Sequence, residues 1–386
     1  MEQDFQSAPK KFWQTVRRLR RGKRNPVHTV FGVGGGLLTS TESIVWWWKE
    51  YFGDLLNPTN THSEEEAGPE DFGLGSPITG VEVAGAVKQL RSGSAPGVDE
   101  IQDWIQQLQE PRKLLISAVC DSNKEVFYEG KQSWEDIPKH ELDHLIVDDN
   151  HGIIYCFVPK VACTNLKRIM FVLKKGKPYQ DPMSIPGNMV HATSKLTYLR
   201  DLPKAKLKHY TKFLFVRNPF VRLISAFRDK FQSRNELYYN RIGRDILRLY
   251  GKHQNPPLTV DEAFASGILP SFHNFIQYLL DPETRKNSPF DYHWRQMYHL
   301  CHPCRIQYDF IGHQENLQEE AEQLLRILRL EDDIKFPPSY ENITTVDFVL
   351  DWFQTLTLEE RRNLYKLYKP DFKLFGYPEP HELLDG

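Results

Sequence analysis

A run of six apolar residues, Ile153–Val158, ends on a proline and gives way within a few positions to a helical pattern. Rich in β formers, it suits a strand buried on both faces. Pro159 closes it, because proline cannot donate to a sheet ladder. From Thr164 to Lys174, the residues Leu166, Ile169, Met170 and Leu173 fall on one helical face. The same order recurs at Lys212–Phe231. Phe213–Val216 forms the strand, Arg217 stands at its carboxyl end, and Pro219 fits the first turn of the next helix. Val221, Ile224, Ser225 and Arg228 continue at helical spacing. Strand, loop and helix used twice argue for a parallel α/β sheet, whose ligands sit beyond the carboxyl ends of the strands.

Both loops carry groups that suit an anion. Pro159-Lys-Val-Ala-Cys-Thr-Asn165 puts Lys160, free backbone N–H groups and the Thr164 hydroxyl at a helix amino terminus. Such an end attracts anions through its unpaired donors and its dipole. The loop has no glycine, so a GxxxxGK[ST] nucleotide triphosphatase is disfavoured. Taken alone, the segment also reads as an ordinary strand–turn–helix with a surface lysine. In the second loop, Arg217 and Ser225 lie eight positions apart, one at the strand tip and one two turns into the helix. A guanidinium fork and a hydroxyl can bracket one phosphate from two sides. Surface ion pairs for Arg217, Arg222 and Arg228 are the competing reading.

Bulk charge is silent about partners. Lys and Arg total 49 against 51 Asp and Glu, so an anion site has to come from local clustering. No stretch reaches the roughly 18–20 apolar residues that cross a bilayer; the best candidates are Ile153–Val158 and Val30–Leu38, the latter diluted by glycines. The opening MEQDFQSAPKKFW lacks the apolar core of a signal peptide, so the chain as written is expected to have no route into the secretory pathway. Composition shifts near residue 100. Before it lie a basic run, Arg17–Arg24, an acidic patch at Glu64–Glu66 and the turn-rich Ser92–Glu100, with short amphipathic helices expected at Phe12–Leu19, Ile44–Leu56 and Val81–Leu90. The basic run reads as a solvated helix face or a nucleic-acid patch. Beyond it, Pro111–Val119 and Ser133–Asp148 hold helical and turn signals, and amphipathic helices are expected at Leu317–Leu330, Val346–Thr355 and Leu358–Tyr368.

In this order and spacing, PKVACTN and RNPFVRLIS resemble the phosphate loops of the Golgi carbohydrate sulfotransferases that use 3′-phosphoadenylyl sulfate (PAPS). The resemblance runs from about residue 111 to 383 and is strongest toward the chondroitin 4-O-sulfotransferases. ELDHLIVDDNHGIIYCFVPKVACTN, FIQYLLDP, HWRQMYHLCHPC, FPPSY and LYKLYKPDFKLFGYPEP also carry it. It implies the sulfotransferase fold, a P-loop-like parallel sheet flanked by helices. It further implies that Pro159, Lys160, Val161, Ala162, Cys163, Thr164 and Asn165 cradle the 5′-phosphosulfate. Arg217, Asn218, Pro219, Phe220, Val221, Arg222, Leu223, Ile224 and Ser225 would cradle the 3′-phosphate. Leu166 stands where the family has tryptophan in TNWKR, which removes an aromatic surface but no phosphate donor. The linker Met183–His209 looks shorter than in similar members of the family.

The implied reaction moves sulfate to a glycosaminoglycan hydroxyl, at position 4 of N-acetylgalactosamine in chondroitin or dermatan, in the Golgi membrane or lumen. Sulfuryl transfer resembles phosphoryl transfer, and positioning with charge stabilisation does most of the work; no metal is expected. Lys160 is the candidate to neutralise the bridging oxygen and leaving phosphate. His191, between the loops, is the candidate base, with His293 and Glu315 as alternatives. Lys204, Lys206, Lys208, Lys212, Arg241, Arg244 and Arg248 are candidate contacts for an anionic polysaccharide, against solvated helix faces. For Cys301-His-Pro-Cys304, zinc would need two further ligands that the sequence does not show clearly. Structural disulfides are preferred, Cys301 and Cys304 pairing with each other or with Cys120 and Cys156, which leaves Cys163 free. Asn342-Ile-Thr is the one glycosylation acceptor and would require lumenal exposure.

Residues from about 10 to 101 resemble the segment of LINE-type retrotransposon polyproteins that leads into the reverse transcriptase. No paired-aspartate metal site follows, so no polymerase is expected. The expected division is a retrotransposon-like segment, 1–105, poorly structured or small and helical and outside the catalytic fold, and a sulfotransferase domain, 106–386. No nucleic-acid partner is expected, and membrane association would need a signal anchor to be restored. The rival readings are a sulfotransferase-fold pseudoenzyme and a nucleic-acid-binding protein acting through the basic amino-terminal half.

Overall fold

The computed structural model describes residues 98–128, 133–286, 289–338 and 346–385, together with strands β1 (Val30–Phe31) and β2 (Leu37–Leu38). The chain divides into two compact units, Met1–Trp104 and Ile105–Gly386. In the first, β1 and β2 pair antiparallel, Val30 opposite Leu38 and Phe31 opposite Leu37. The three helices expected before residue 91 and the Asn342 acceptor lie outside the described residues.

The second unit is built on a four-stranded sheet. Helix α1 (Val98–Ser122) leads to β3 (Leu145–Asp148) and β4 (Ile153–Cys156). Helix α2 (Cys163–Lys175) follows, then β5 (Thr211–Val216) and α3 (Pro219–Phe231). Then come α4 (Phe272–Leu280), β6 (Phe310–His313), α5 (Leu317–Ile327), α6 (Val346–Phe353) and α7 (Leu358–Leu374). The spatial order is β3-β4-β5-β6. β4 and β5 run parallel with Ile153 opposite Thr211, and β5 and β6 parallel with Phe213 opposite Phe310. The expected parallel sheet flanked by helices is present, and Pro219 does open α3.

Two strands depart from the sequence reading. Leu145–Asp148, taken for helix and turn, is an edge strand antiparallel to β4, Leu145 facing Cys156. Its turn, Asp149–Gly152, closes on Gly152 at φ 63°, a left-handed conformation that glycine adopts without a Cβ penalty. Phe310–His313 went unread because four residues that include a glycine and a histidine leave no period to detect. Its outer edge is covered by α1. Gln109 Oε1 accepts from the Ile311 N–H at 2.8 Å, and its amide donates to the Ile311 carbonyl. Arg112 binds Glu320 through both guanidinium nitrogens, at 2.7 and 2.9 Å, with both side chains buried. An edge strand covered in this way offers no template for pairing with another chain.

Aromatic rings fill the space beneath α3. Phe220 meets Phe353 at 4.6 Å and Phe372 at 5.0 Å, and Phe275 meets Trp294 at 5.4 Å. Two disulfides, Cys120–Cys304 and Cys156–Cys301, tie α1 and β4 to one short segment, and Cys163 is free. The crossed pairing therefore holds, rather than a bond within Cys301-His-Pro-Cys304.

Gly312 in β6 tests the packing of the sheet. A Cβ there would fall 2.2 Å from the Phe215 ring. Gly312→Ala is expected to lower stability by about 1–3 kcal/mol, the usual range for overpacking. An unchanged urea midpoint would show that the ring can move aside.

Candidate active site

β4 delivers the chain to Pro159 through buried Phe157 and Val158. Lys160 (φ 68°) and Ala162 (φ 47°) then take left-handed backbone conformations, and α2 begins at Cys163. Neither is glycine, so the turn stores strain of order 1–3 kcal/mol at each residue and needs outside support. Two arginines of the second loop provide it. Arg217 donates to the Lys160 carbonyl at 3.1 Å, and Arg222 Nε donates to the Pro159 carbonyl at 3.0 Å. The other two nitrogens of Arg222 reach the carbonyls of Arg295 (2.7 Å) and Tyr292 (2.9 Å). Arg222 is only 1% exposed, and burial pushes its pKa down to about 10, so it stays charged at neutral pH. Its fork is thus spent on backbone, which sets it among the supports of the first loop rather than on the cavity wall.

The rest of the second loop divides between capping and lining. The Asn218 side chain accepts from the Phe220 and Val221 N–H groups, capping α3. Its own N–H donates to Glu315 at 2.9 Å, and Tyr377 donates to the same carboxylate at 3.0 Å. Glu315, an alternative base in the sequence reading, is therefore engaged in holding the loop. Pro219, Phe220 and Leu223 are buried in the core. Val221, Ile224 and Ser225 line a cavity of about 470 Å³ with Lys160, Arg217, Arg228 and Asp229.

Asp229 was not singled out in the sequence, although it directly follows the expected Arg228. Its carboxylate lies 3.3 Å from Lys160 Nζ and 3.0 Å from Lys230 Nζ. Burial works the other way, but these ammonium groups hold it below the usual carboxylate range. In the first loop, Val161 is buried and Asn165 accepts from Arg168 at 3.1 Å. Thr164 Oγ1 lies 2.9 Å from His191 Nε2. Partial burial first, then Lys167, His293 and Lys230, hold His191 down at about 4. The imidazole is therefore neutral at neutral pH, as a base must be.

One further group, Lys167, was missed, and another, His293, was named without its partner. Lys167, beneath the first loop, is buried with its ammonium 3.5 Å from the Phe157 ring centre, and burial lowers its pKa to about 8. His293, named only as an alternative base, is held at 2.7 Å through Nδ1 by buried Asp291, which also accepts from Tyr238 at 3.0 Å. The acid two residues before His293 in DYHW is the sequence signal that could have exposed the pair.

Six of the seven basic residues offered as polysaccharide contacts are engaged locally, while Arg244 makes no ion pair among the described residues and its Nε is buried without a hydrogen-bond partner. Lys206 pairs with Asp149 (2.7 Å), Lys208 with Glu135 (3.8 Å) and Lys212 with Asp309 (3.1 Å), while Lys204 donates to the backbone of Glu135 and Ile137. Arg241 reaches Asp291 at 3.5 Å and Arg248 reaches Asp245 at 2.6 Å. Among the described residues there is no group of three or more His, Cys, Asp or Glu that could hold a metal ion, and no helix long and apolar enough to cross a membrane.

The profile of the Sulfotransferase family matches residues 143–378, which include both loops. Over 292 residues the chain is 53% identical to carbohydrate sulfotransferase 12 of Mus musculus, covering 72% of this chain and 70% of that one. It is 52% identical to carbohydrate sulfotransferase 12 of Xenopus laevis (74% and 73% covered). It is 38% identical to carbohydrate sulfotransferase 11 of Rattus norvegicus (76% and 84% covered). No solved structure matches. The chain belongs to the sulfotransferase family, among the carbohydrate sulfotransferases. Its reaction is the transfer of sulfate to a carbohydrate.

An NMR titration of the ligand-free protein checks the electrostatics of the site. The His191 imidazole is expected to titrate near 4, and Lys167→Met should raise that midpoint, because it removes a neighbouring cation. A midpoint at or above 6.5 would show a ring free of both influences.

Proposed function

We propose that the sulfate donor is PAPS and the acceptor a chondroitin- or dermatan-type glycosaminoglycan, sulfated at position 4 of N-acetylgalactosamine in the Golgi lumen. The observation that carries the donor assignment is the convergence of both strand tips on one cavity, where Lys160, Arg217, Ser225 and Arg228 meet. Three cations against the single carboxylate of Asp229 suit a nucleotide with two phosphorylated positions. Arg217 and Ser225 would hold the 3′-phosphate; Lys160, Thr164 and the first N–H groups of α2 would hold the 5′-phosphosulfate. The acceptor assignment rests on likeness to the carbohydrate sulfotransferases.

The bound donor supplies the sulfuryl group, which passes from a phosphate oxygen to the sugar oxygen. Lys160 offsets charge that grows on the departing phosphate. Its pairing with Asp229 keeps Nζ at the cavity. His191, neutral and fixed through Thr164, accepts the proton of the attacking hydroxyl. The catalytic domain in this reading is 106–386, which includes the part of α1 that holds β6 through Gln109 and Arg112.

Transfer of ³⁵S-labelled sulfate from PAPS to desulfated chondroitin is the direct assay. Lys160→Ala is expected to cut turnover about 100-fold, with a much smaller change in donor affinity, because the lysine acts on charge that develops in the transition state. Wild-type turnover with only a raised KM would make it a binding residue instead. Arg217→Ala is expected to weaken adenosine 3′,5′-bisphosphate by about 1.5–3 kcal/mol, one charged hydrogen bond. Calorimetry showing unchanged affinity would remove Arg217 from the phosphate site.

A further inference from the structure

A second cavity, of about 700 Å³, has a wall that includes His144, Tyr292, Arg295, Tyr298, His302 and Arg305. It is fastened to the reactive loop at two points, by Arg222 and by His144, and its Tyr292 ring also packs on the neighbouring His293. Arg222 holds the carbonyls of Pro159, Tyr292 and Arg295 in one fork. The Tyr292 ring lies 4.4 Å from that of His293. His144 stacks on Phe157 at 4.4 Å and bonds its carbonyl, three residues before Lys160.

Two arginines set the charge of this cavity. Among the described residues, neither Arg295 nor Arg305 makes an ion pair, although Arg295 Nε donates to the Phe290 carbonyl. Of the carboxylates on the same wall, Asp143 is matched by Arg200 at 3.1 Å, and Glu141, beside a neutral His302, acts electrostatically on Arg295, which leaves Arg305 as the guanidinium in excess. Burial drives His144 to about 3 and His302 to about 4, so both are neutral and act as hydrogen-bonding groups. Tyr292 is 44% exposed and offers a ring face. A guanidinium in excess of the carboxylates, neutral imidazoles and a tyrosine face together suit a sugar ring that carries a carboxylate.

The wall is also rigid. Cys301 and Cys304 are each bonded to a distant element, and buried Asp371 accepts from the Met297 (2.7 Å) and Tyr298 (3.0 Å) N–H groups. A preformed cavity loses little affinity to ordering when it binds.

We infer that this cavity is an acceptor subsite holding the acidic sugar next to the residue that receives sulfate, with Arg305 and Arg295 as its specificity determinants. The inference rests on the glycosaminoglycan reading above, and the test separates the two. The full chain is assayed with desulfated chondroitin and with the same polymer after its carboxylates are reduced to alcohols. Wild-type enzyme is expected to show a KM about tenfold higher for the reduced polymer. Arg305→Gln should raise KM for the carboxylated polymer toward that value and leave bisphosphate affinity unchanged, and Arg305→Lys should recover part of the loss. Equal KM values in the wild type, or no change in Arg305→Gln, overturn the subsite. Loss of bisphosphate affinity in Arg305→Gln would mark a structural arginine and overturn it too. No transfer to either polymer would sink the acceptor reading itself; equilibrium binding of the two polymers then decides the subsite, equal affinities overturning it.

Discussion

The buried guanidinium of Arg222 is the contact on which the rest of the site depends. An unpaired charge in a protein interior is prohibitively costly. Here much of the cost is offset by geometry: three nitrogens meet three carbonyls, from Pro159, Tyr292 and Arg295. Those carbonyls belong to segments that share no sheet hydrogen bonds among the described residues. Removing the side chain would leave the buried Pro159 carbonyl without a donor, a loss of about 1–3 kcal/mol, and would free two part-buried acceptors as well. With Arg217 on the next carbonyl, it keeps Lys160 and Ala162 in their left-handed conformations. The strain of the loop and the burial of the arginine are therefore one balanced arrangement.

The same view explains why the lysine is aimed. A strand tip followed by ordinary turn geometry would let a long side chain roam. The left-handed turn at Lys160 directs it toward α3, where Asp229 meets its ammonium at 3.3 Å. That pair is partly exposed, so its contribution to stability is small. Its effect is on position. Asp229 also meets Lys230, so an arriving anion can take Lys160 without leaving the carboxylate alone.

Much of this was legible in the sequence, and the limits have physical causes. The parallel pair β4 and β5 announced itself because both faces are buried, which forces continuous apolar runs bounded by loop residues. β3 and β6 were hidden for opposite reasons. Leu145–Asp148 sits within a stretch whose helical and turn signals belong to short flanking turns, and Phe310–His313 is too short for a period. The two loops at the strand tips were found as segments. Roles within them were not resolved, because RNPFVRLIS does not say which arginine turns inward. Helical phase places Arg222 beside the core positions Leu223 and Ala226, and only the carbonyls it meets, from 63 to 73 residues away, make that tolerable. Cysteine spacing left two pairings open, and the topology settled them by carrying Cys120 and Cys156 to the same segment.

That segment, from Asp291 to Arg305, is where the architecture joins its two halves. It presents His293 on a buried Asp291, gives Arg222 two of its three carbonyls, and is closed by two disulfides at Cys301 and Cys304. Its amino-terminal end therefore answers to the loop that carries Lys160, and its carboxyl end to α1 and β4. A transfer reaction needs two substrates aligned to within a fraction of an ångström, and misplacement of either is enough to lose most of the rate. Two separately mobile binding loops could not guarantee that. One buried arginine spanning the lysine loop and the wall of the second cavity makes their relative position a property of the core.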